Sequence, residues 1–136
     1  MILIDIGNTN IVFAVSVNKK IKNIKRIDTN KEIKSFNNIV SKIIKIYLNL
    51  NYLKNSKTAI ISSVVPNINS RIIKILKLHK IKVYVLKPRD MLPYFKIDYD
   101  LNEIGADRIA NSAAVIDYKI KNSIVIDFGT ATTFEV

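Results

Sequence analysis

The sequence has no cysteine, which excludes disulfides and thiolate metal sites and suits a protein of the cytoplasm, its expected location. No apolar run approaches the ~20 residues needed to cross a bilayer, so no membrane partner is expected. The opening Met1-Ile2-Leu3-Ile4-Asp5 carries neither a basic leader nor a small-residue cleavage site, so no secretory signal is expected there. Repeats, low-complexity tracts and Pro/Gly/Ser linkers are missing as well. So is G-x-x-x-x-G-K-[ST], which excludes a Walker-type phosphate loop.

Acidic residues are scarce: 11 Asp and Glu face 22 Lys and Arg, for a formal net charge of +11. Clustered cations bind nucleic acid through counterion release, but the charge here is not clustered. Arg26, Arg71, Arg89 and Arg108 are the only arginines, and the lysines are spread along the chain. There is no Arg-rich arm, no aromatic-interleaved basic strand and no zinc-finger spacing. Lys, Ile and Asn are abundant together, as an AT-rich coding sequence produces. No specific nucleic-acid partner is therefore expected, although a basic surface still attracts small anions. His79, the one histidine, stands beside Lys80 without a partner motif and reads as a helix-end cation.

What remains is 136 residues, 49% hydrophobic and 24% charged, the size and balance of one ordinary globular domain. Residues 2–6, 11–17 and 21–28 read as three strands joined by short turns. Ile33, Phe36, Ile39, Val40, Ile43, Ile44 and Tyr47 recur at helical spacing between Lys31 and about Leu50. A strand at 58–65 stops at Pro66, and a helix follows with Ile68, Ile72, Ile75 and Leu76 on one face. Residues 81–86 form a further strand, 88–102 a Pro- and Tyr-rich loop, and a helix runs from Asn102 or Glu103 to about Tyr118. Residues 124–128 are a last buried strand. Three leading strands predict an antiparallel meander and the later crossovers parallel additions. The predicted fold is a mixed α/β sheet of five strands with flanking helices, not the strict alternation of a Rossmann fold.

Two strand ends share one pattern: Asp5-Ile6-Gly7-Asn8-Thr9-Asn10 and Asp127-Phe128-Gly129-Thr130-Ala131-Thr132-Thr133. In each, an Asp and an apolar residue precede a Gly and then small hydroxyl or amide residues. The Asp is suited to a hydrated cation such as Mg²⁺. The Gly allows close approach of a phosphate, and the following N–H and hydroxyl groups can donate to its oxygens. A single D-x-G is a common turn; the pair, opening two successive sheets, points to a polyphosphate held from both sides. A third segment, Glu103-Ile104-Gly105-Ala106-Asp107-Arg108, lies at a helix entry. Asp107 is a helix-end charge on the plain reading. Gly105 inside a helix start costs about 1 kcal/mol against Ala, which makes sense where a substrate lies against the backbone. Asp107 is then a candidate proton acceptor and Arg108 a bidentate clamp for carboxylate or phosphate.

The segments ILIDIGNTNIVFAV, AIISSVVPN, IGADRIANSAAV and VIDFGTATTFEV, in that order, resemble type III pantothenate kinase, of the acetate kinase, sugar kinase, Hsp70 and actin superfamily. The resemblance covers nearly the whole chain. It implies a ribonuclease H-like (actin-like ATPase) domain at 1–121 and the first strands of a second kinase domain at 122–136. It implies ATP-dependent phosphorylation of pantothenate, the first step of coenzyme A synthesis, with Mg²⁺ and a monovalent cation, potassium or ammonium. Carried over by position, Asp5, Gly7, Asn8 and Thr9 match the first phosphate motif, and Gly129, Thr130 and Thr132 the second. Asp127 matches the monovalent-cation site and Asp107 the general base. Gly105, Ala106 and Arg108 match the pantothenate pocket. Tyr99 is the choice for the pocket tyrosine, with Tyr94 in reserve because the spacer to Gly105 is one residue short. The family implies a homodimer and a chain close to twice this length, so the missing half is expected to be a separate C-terminal piece, to have been lost, or to have been removed by truncation. A strand at 123–128 followed by a stub is then expected to lack neighbours. The alternatives are another kinase of the superfamily, a catalytically inactive or split fragment serving as a binding or regulatory module, and nucleic-acid binding.

Overall fold

β1 (Ile2–Ile6) alternates Ile2, Leu3, Ile4, Asp5, Ile6, and only Ile2, Ile4 and Ile6 are buried. A strand turns successive side chains to opposite faces, so one face of β1 is wholly aliphatic and the other carries Asp5. In the computed structural model, which describes residues 1–29, 33–53, 57–119, 121–129 and 131–136, this strand is central to a five-stranded sheet. Its neighbours are β2 (Asn10–Val17) and β4 (Thr58–Ser63), with β3 (Lys20–Asp28) and β5 (Lys82–Val85) at the edges. The order is β3-β2-β1-β4-β5; β1, β2 and β3 pair antiparallel, and β4 and β5 add in parallel. The predicted meander with parallel additions is thus observed.

Register brings the buried residues together. Ile2 lies opposite Val15 and Ala59, Ile4 opposite Phe13 and Ile61, and Ile6 opposite Ile11. α1 (Ile33–Leu48) covers that face with Phe36, Val40, Ile43, Ile44 and Tyr47, and α2 (Pro66–Leu78) with Ile72, Ile75 and Leu76. These are the positions at i, i+3, i+4 and i+7 that the helical period selects. Pro66 opens α2 where its missing N–H costs nothing. Its end is a Schellman motif: Lys80 donates to the Lys77 carbonyl and Ile81 to that of Leu76, with Lys80 left-handed at φ 56°. His79 caps that end, 3.4 Å from the Ser41 hydroxyl. Residue 31, the expected start of α1, lies outside the described residues.

The chain divides into two compact units, Met1–Val85 and Leu86–Val136. In the second, a short 3₁₀ turn (Pro88–Met91) replaces part of the expected loop, and α3 (Ala106–Asp117) follows. α3 begins later than the predicted Asn102 or Glu103, because residues 100–104 make a turn of their own around Asp100. The Asp100 carboxylate accepts from the Asn102 N–H, and its carbonyl from those of Glu103 and Ile104. β6 (Val125–Phe128) and β7 (Thr132–Glu135) form a separate antiparallel sheet, so β6 has a paired neighbour where a stub was expected.

One irregularity ties the edge of the first sheet to α1. Phe13 pairs with Lys25 and Val15 with Lys22, so Asn23 and Ile24 together oppose Ala14. Asn23 takes a left-handed φ of 53°, which Asn tolerates better than most residues. The Tyr47 hydroxyl, carried in by α1, lies 3.0 Å from the Phe13 carbonyl and also bonds that of Asn23. Removing it leaves carbonyls at the bulge short of a donor. Tyr47→Phe is expected to lower stability by about 1–3 kcal/mol in urea unfolding; an unchanged midpoint would show that the bulge stands without it.

Candidate active site

The first phosphate-type segment is the turn from β1 into β2. The Gly7 N–H donates to the Asn10 carbonyl at 2.9 Å, closing the turn. A Cβ on Gly7 would come within 3.2 Å of that same oxygen. No described glycine has a positive φ, so close approach rather than handedness selects glycine here. The turn is held from behind by Thr29, which is 4% exposed and sits just past β3. Its Oγ1 donates to the Gly7 carbonyl at 2.6 Å and its N–H to the Thr9 carbonyl at 2.9 Å. Asn8 and Thr9 are left exposed at the tip. Asp5 is exposed too, on the sheet face opposite the core, flanked in register by Val12 and Ser62. A carboxylate and a fixed polar turn thus lie at one strand end.

The second group is in the other unit. Gly105 precedes α3 in an extended conformation (φ −68°, ψ 148°) as its N-cap, with no side-chain cap bond. It lies outside the helix, so the expected helical penalty for glycine does not apply. Asp107, in the first turn, supplies what Gly105 lacks: its Oδ1 accepts the Arg108 N–H at 2.8 Å. The helix-end role of Asp107 is therefore real, and it occupies one carboxylate oxygen. Ala106 is buried beneath.

Arg108 and Asn111, three apart on α3, share a helix face and meet the β6–β7 hairpin. The Arg108 Nε donates to Glu135 Oε1 at 2.7 Å, and an Nη donates to the Phe134 carbonyl at 2.9 Å. The Asn111 amide donates to Asp127 Oδ2 at 3.1 Å. Alternation explains the pairing: Asp127 lies opposite Thr133 and Val125 opposite Glu135, so these four share the face toward α3. Thr132 pairs with Phe128 on the other face, so Thr133 is the threonine that shares a face with Asp127. The Gly129 N–H donates to the Ala131 carbonyl at 3.1 Å, and among the described residues a Cβ on Gly129 would meet that oxygen, at 3.5 Å. Thr130 lies outside the described residues. The Tyr99 ring centre is 5.9 Å from the Arg108 guanidinium carbon, within cation–π range. Tyr94 is 72% exposed.

The predicted residues therefore fall into two groups: Asp5, Gly7, Asn8 and Thr9 in the first unit; Tyr99, Gly105, Ala106, Asp107, Arg108, Asp127, Gly129 and Thr132 in the second. Thr29, Asn111 and Glu135 were not singled out in the sequence. Asn111 was signalled by its helical spacing from Arg108, and Glu135 by strand alternation from Thr133; Thr29 had no local signal. Among the described residues no three His, Cys, Asp or Glu side chains gather into a metal-holding cluster. A family model described as type III pantothenate kinase matches residues 1–136.

Thr29 gives a direct check on the first turn. Thr29→Val keeps the shape and removes the hydroxyl, and is expected to cost about 1–2 kcal/mol and to speed amide exchange at Gly7. Unchanged exchange there would mean that the turn holds itself.

Proposed function

Because the chain belongs to the type III pantothenate kinase family, we propose that it transfers the γ-phosphoryl group of ATP to the primary hydroxyl of pantothenate, giving 4'-phosphopantothenate for coenzyme A synthesis. The structural observation that carries this reading is the adjacent carboxylate and guanidinium in the first turn of α3, with Arg108 fixed from β7. Successive helix residues point about 100° apart, so Asp107 and Arg108 can address different parts of one substrate. Arg108 offers a fork to an anionic group, and Gly105 leaves backbone accessible beside it. Tyr99, near the Arg108 guanidinium, is supported over Tyr94 as the pocket tyrosine.

In the reaction the pantothenate hydroxyl oxygen bonds to the γ-phosphorus in line with the departing oxygen of ADP, and the bond to that oxygen breaks. Asp107 takes the hydroxyl proton through the oxygen not engaged by the Arg108 N–H. Such transfers depend mainly on positioning and charge neutralisation. Asp5, Gly7, Asn8 and Thr9 in the first unit, and Gly129, Thr130 and Thr132 in the second, are each assigned to phosphate oxygens. Gly129 has room for a methyl group and an ordinary φ, so nothing described within the chain demands glycine. Close approach of a phosphate does.

Mg²⁺ fits the donor set, since it is bound through one or two carboxylates plus phosphate oxygens and water rather than by a protein cage. Asp5 is the carboxylate that would hold it. Asp127, with one oxygen on Asn111, would hold potassium or ammonium through the other. These ions supply neutralisation of phosphate charge. The reading assigns residues 1–121 to the first kinase domain and 122–136 to the start of the second, whereas the compact units divide at Val85 and keep α3 with the β6–β7 hairpin; a cytoplasmic homodimer completes the reading.

The test is phosphate transfer from Mg-ATP to pantothenate by the 136-residue chain with potassium present. Asp107→Asn keeps an oxygen for the Arg108 N–H, so the helix start survives while the proton acceptor is lost. Turnover should fall about 10²–10⁴-fold; equal turnover removes Asp107 from that role, and none in the native chain sinks the proposal. Gly129→Ala should leave stability equal or raise it by up to about 1 kcal/mol while the KM for ATP rises at least tenfold. A lower melting temperature with unchanged KM would make that glycine structural.

A further inference from the structure

Glu135 has no part in the reading above, yet its environment is costly. Its side chain is only 9% exposed; one oxygen pairs with Arg108, and the other, Oε2, is buried without a hydrogen-bond partner among the described residues. A buried carboxylate oxygen left unpaired opposes folding. Buried ion pairs are also often no more stabilising than apolar packing of the same volume. Stability alone therefore does not account for a glutamate at this position.

The geometry of the guanidinium does. Arginine has five N–H donors in a rigid plane. The described bonds use the Nε–H, toward Glu135, and one Nη hydrogen, toward the Phe134 carbonyl. Both partners are neighbouring residues of β7, so the plane is held along one edge by one strand. The outer edge, with one N–H on each Nη, is the pair that forks to a carboxylate. The Arg108 side chain is 30% exposed, and its Nη bond to the Phe134 carbonyl lies at the exposed surface. Without Glu135 the long side chain keeps one hydrogen bond, to the Phe134 carbonyl, and the looser Tyr99 ring contact, and regains rotation about its terminal bonds.

We infer that Glu135 is a positioning residue for substrate recognition: it clamps the Nε edge of Arg108 so that the Nη edge presents a preset fork to the carboxylate of pantothenate. This inference rests on the assignment of Arg108 to the pantothenate pocket. Glu135 touches no substrate; it acts through Arg108 by removing the freedom that binding would otherwise have to freeze out.

Calorimetric titration with pantothenate, run beside ¹⁵N spectra of the arginine Nε–H groups, tests it on the full chain. In the native chain the Arg108 Nε–H should exchange slowly with water. Glu135→Ala should lose that protection and weaken pantothenate binding about 10- to 100-fold, with Mg-ATP binding unchanged. Glu135→Gln, which retains an acceptor oxygen of the same reach, should recover most of the loss; a merely structural role predicts equal damage to the binding of both ligands. Equal pantothenate affinity in Glu135→Ala, or an Arg108 Nε–H unprotected in the native chain, overturns the inference. If the native chain binds no pantothenate, the kinase reading and the substrate assignment fall together, while the Nε–H comparison still decides whether Glu135 holds Arg108.

Discussion

The period-two alternation of β1 is the constraint on which the rest of the first unit depends. Ile2, Ile4 and Ile6 bury one face of the central strand under α1 and α2, and that burial fixes Asp5 on the opposite face. A slip of one residue would bury Asp5 and expose the isoleucines, so the register is specified by the hydrophobic pattern itself. Antiparallel pairing to β2 and parallel pairing to β4 then hold the end of β1 in the middle of the sheet, beside the start of β2 and the end of β4. The Ile6 carbonyl accepts the Val64 N–H there, and Thr29 pins the following turn. The exposed positions of Asp5, Asn8 and Thr9 are consequences of where the isoleucines had to go.

The second unit uses the same alternation for a different end. β6 and β7 are too short to build a core, and Ile126, Phe128 and Phe134 remain largely exposed. Polar side chains do the work of attachment on the other face, where Arg108 and Asn111 meet Glu135 and Asp127. Helix period and strand period thus place four polar groups in register. Two of the residues that fasten the hairpin to α3, Arg108 and Asp127, are also among those from which the proposed chemistry draws. That overlap makes stability and substrate recognition hard to separate by truncation, and easier by substitutions that keep one oxygen in place.

Most of the architecture was legible because it follows from local periodicity. The strands at 2–6, 11–17 and 21–28 and the buried faces of α1 and α2 appear as read, since alternation and the 3.6-residue period are properties of short windows. What escaped the sequence depends on contacts distant along the chain. Tyr47 scored only as an apolar helix position, although its hydroxyl serves carbonyls on β2 and β3. Thr29 reaches back across the β2–β3 hairpin to Gly7. Glu135 acquires meaning only when β7 folds against Arg108. The late start of α3 was missed for a local reason: the Asx turn at Asp100 competed with helix for residues 100–104. Of the candidate site, the motif glycines and carboxylates were visible, and the residues that hold them were not.

The central claim is that the Asp5–Asn10 turn and the α3 entry are ligand sites for a nucleotide and an acid respectively. Amide chemical shifts of the labelled chain, followed as Mg-ATP and then pantothenate are added, test it most directly. The account predicts that Mg-ATP moves Gly7, Asn8, Thr9 and Gly129, and that pantothenate moves Gly105 and Arg108. Saturable shifts confined to other residues, or none at either segment with both ligands present, would contradict it.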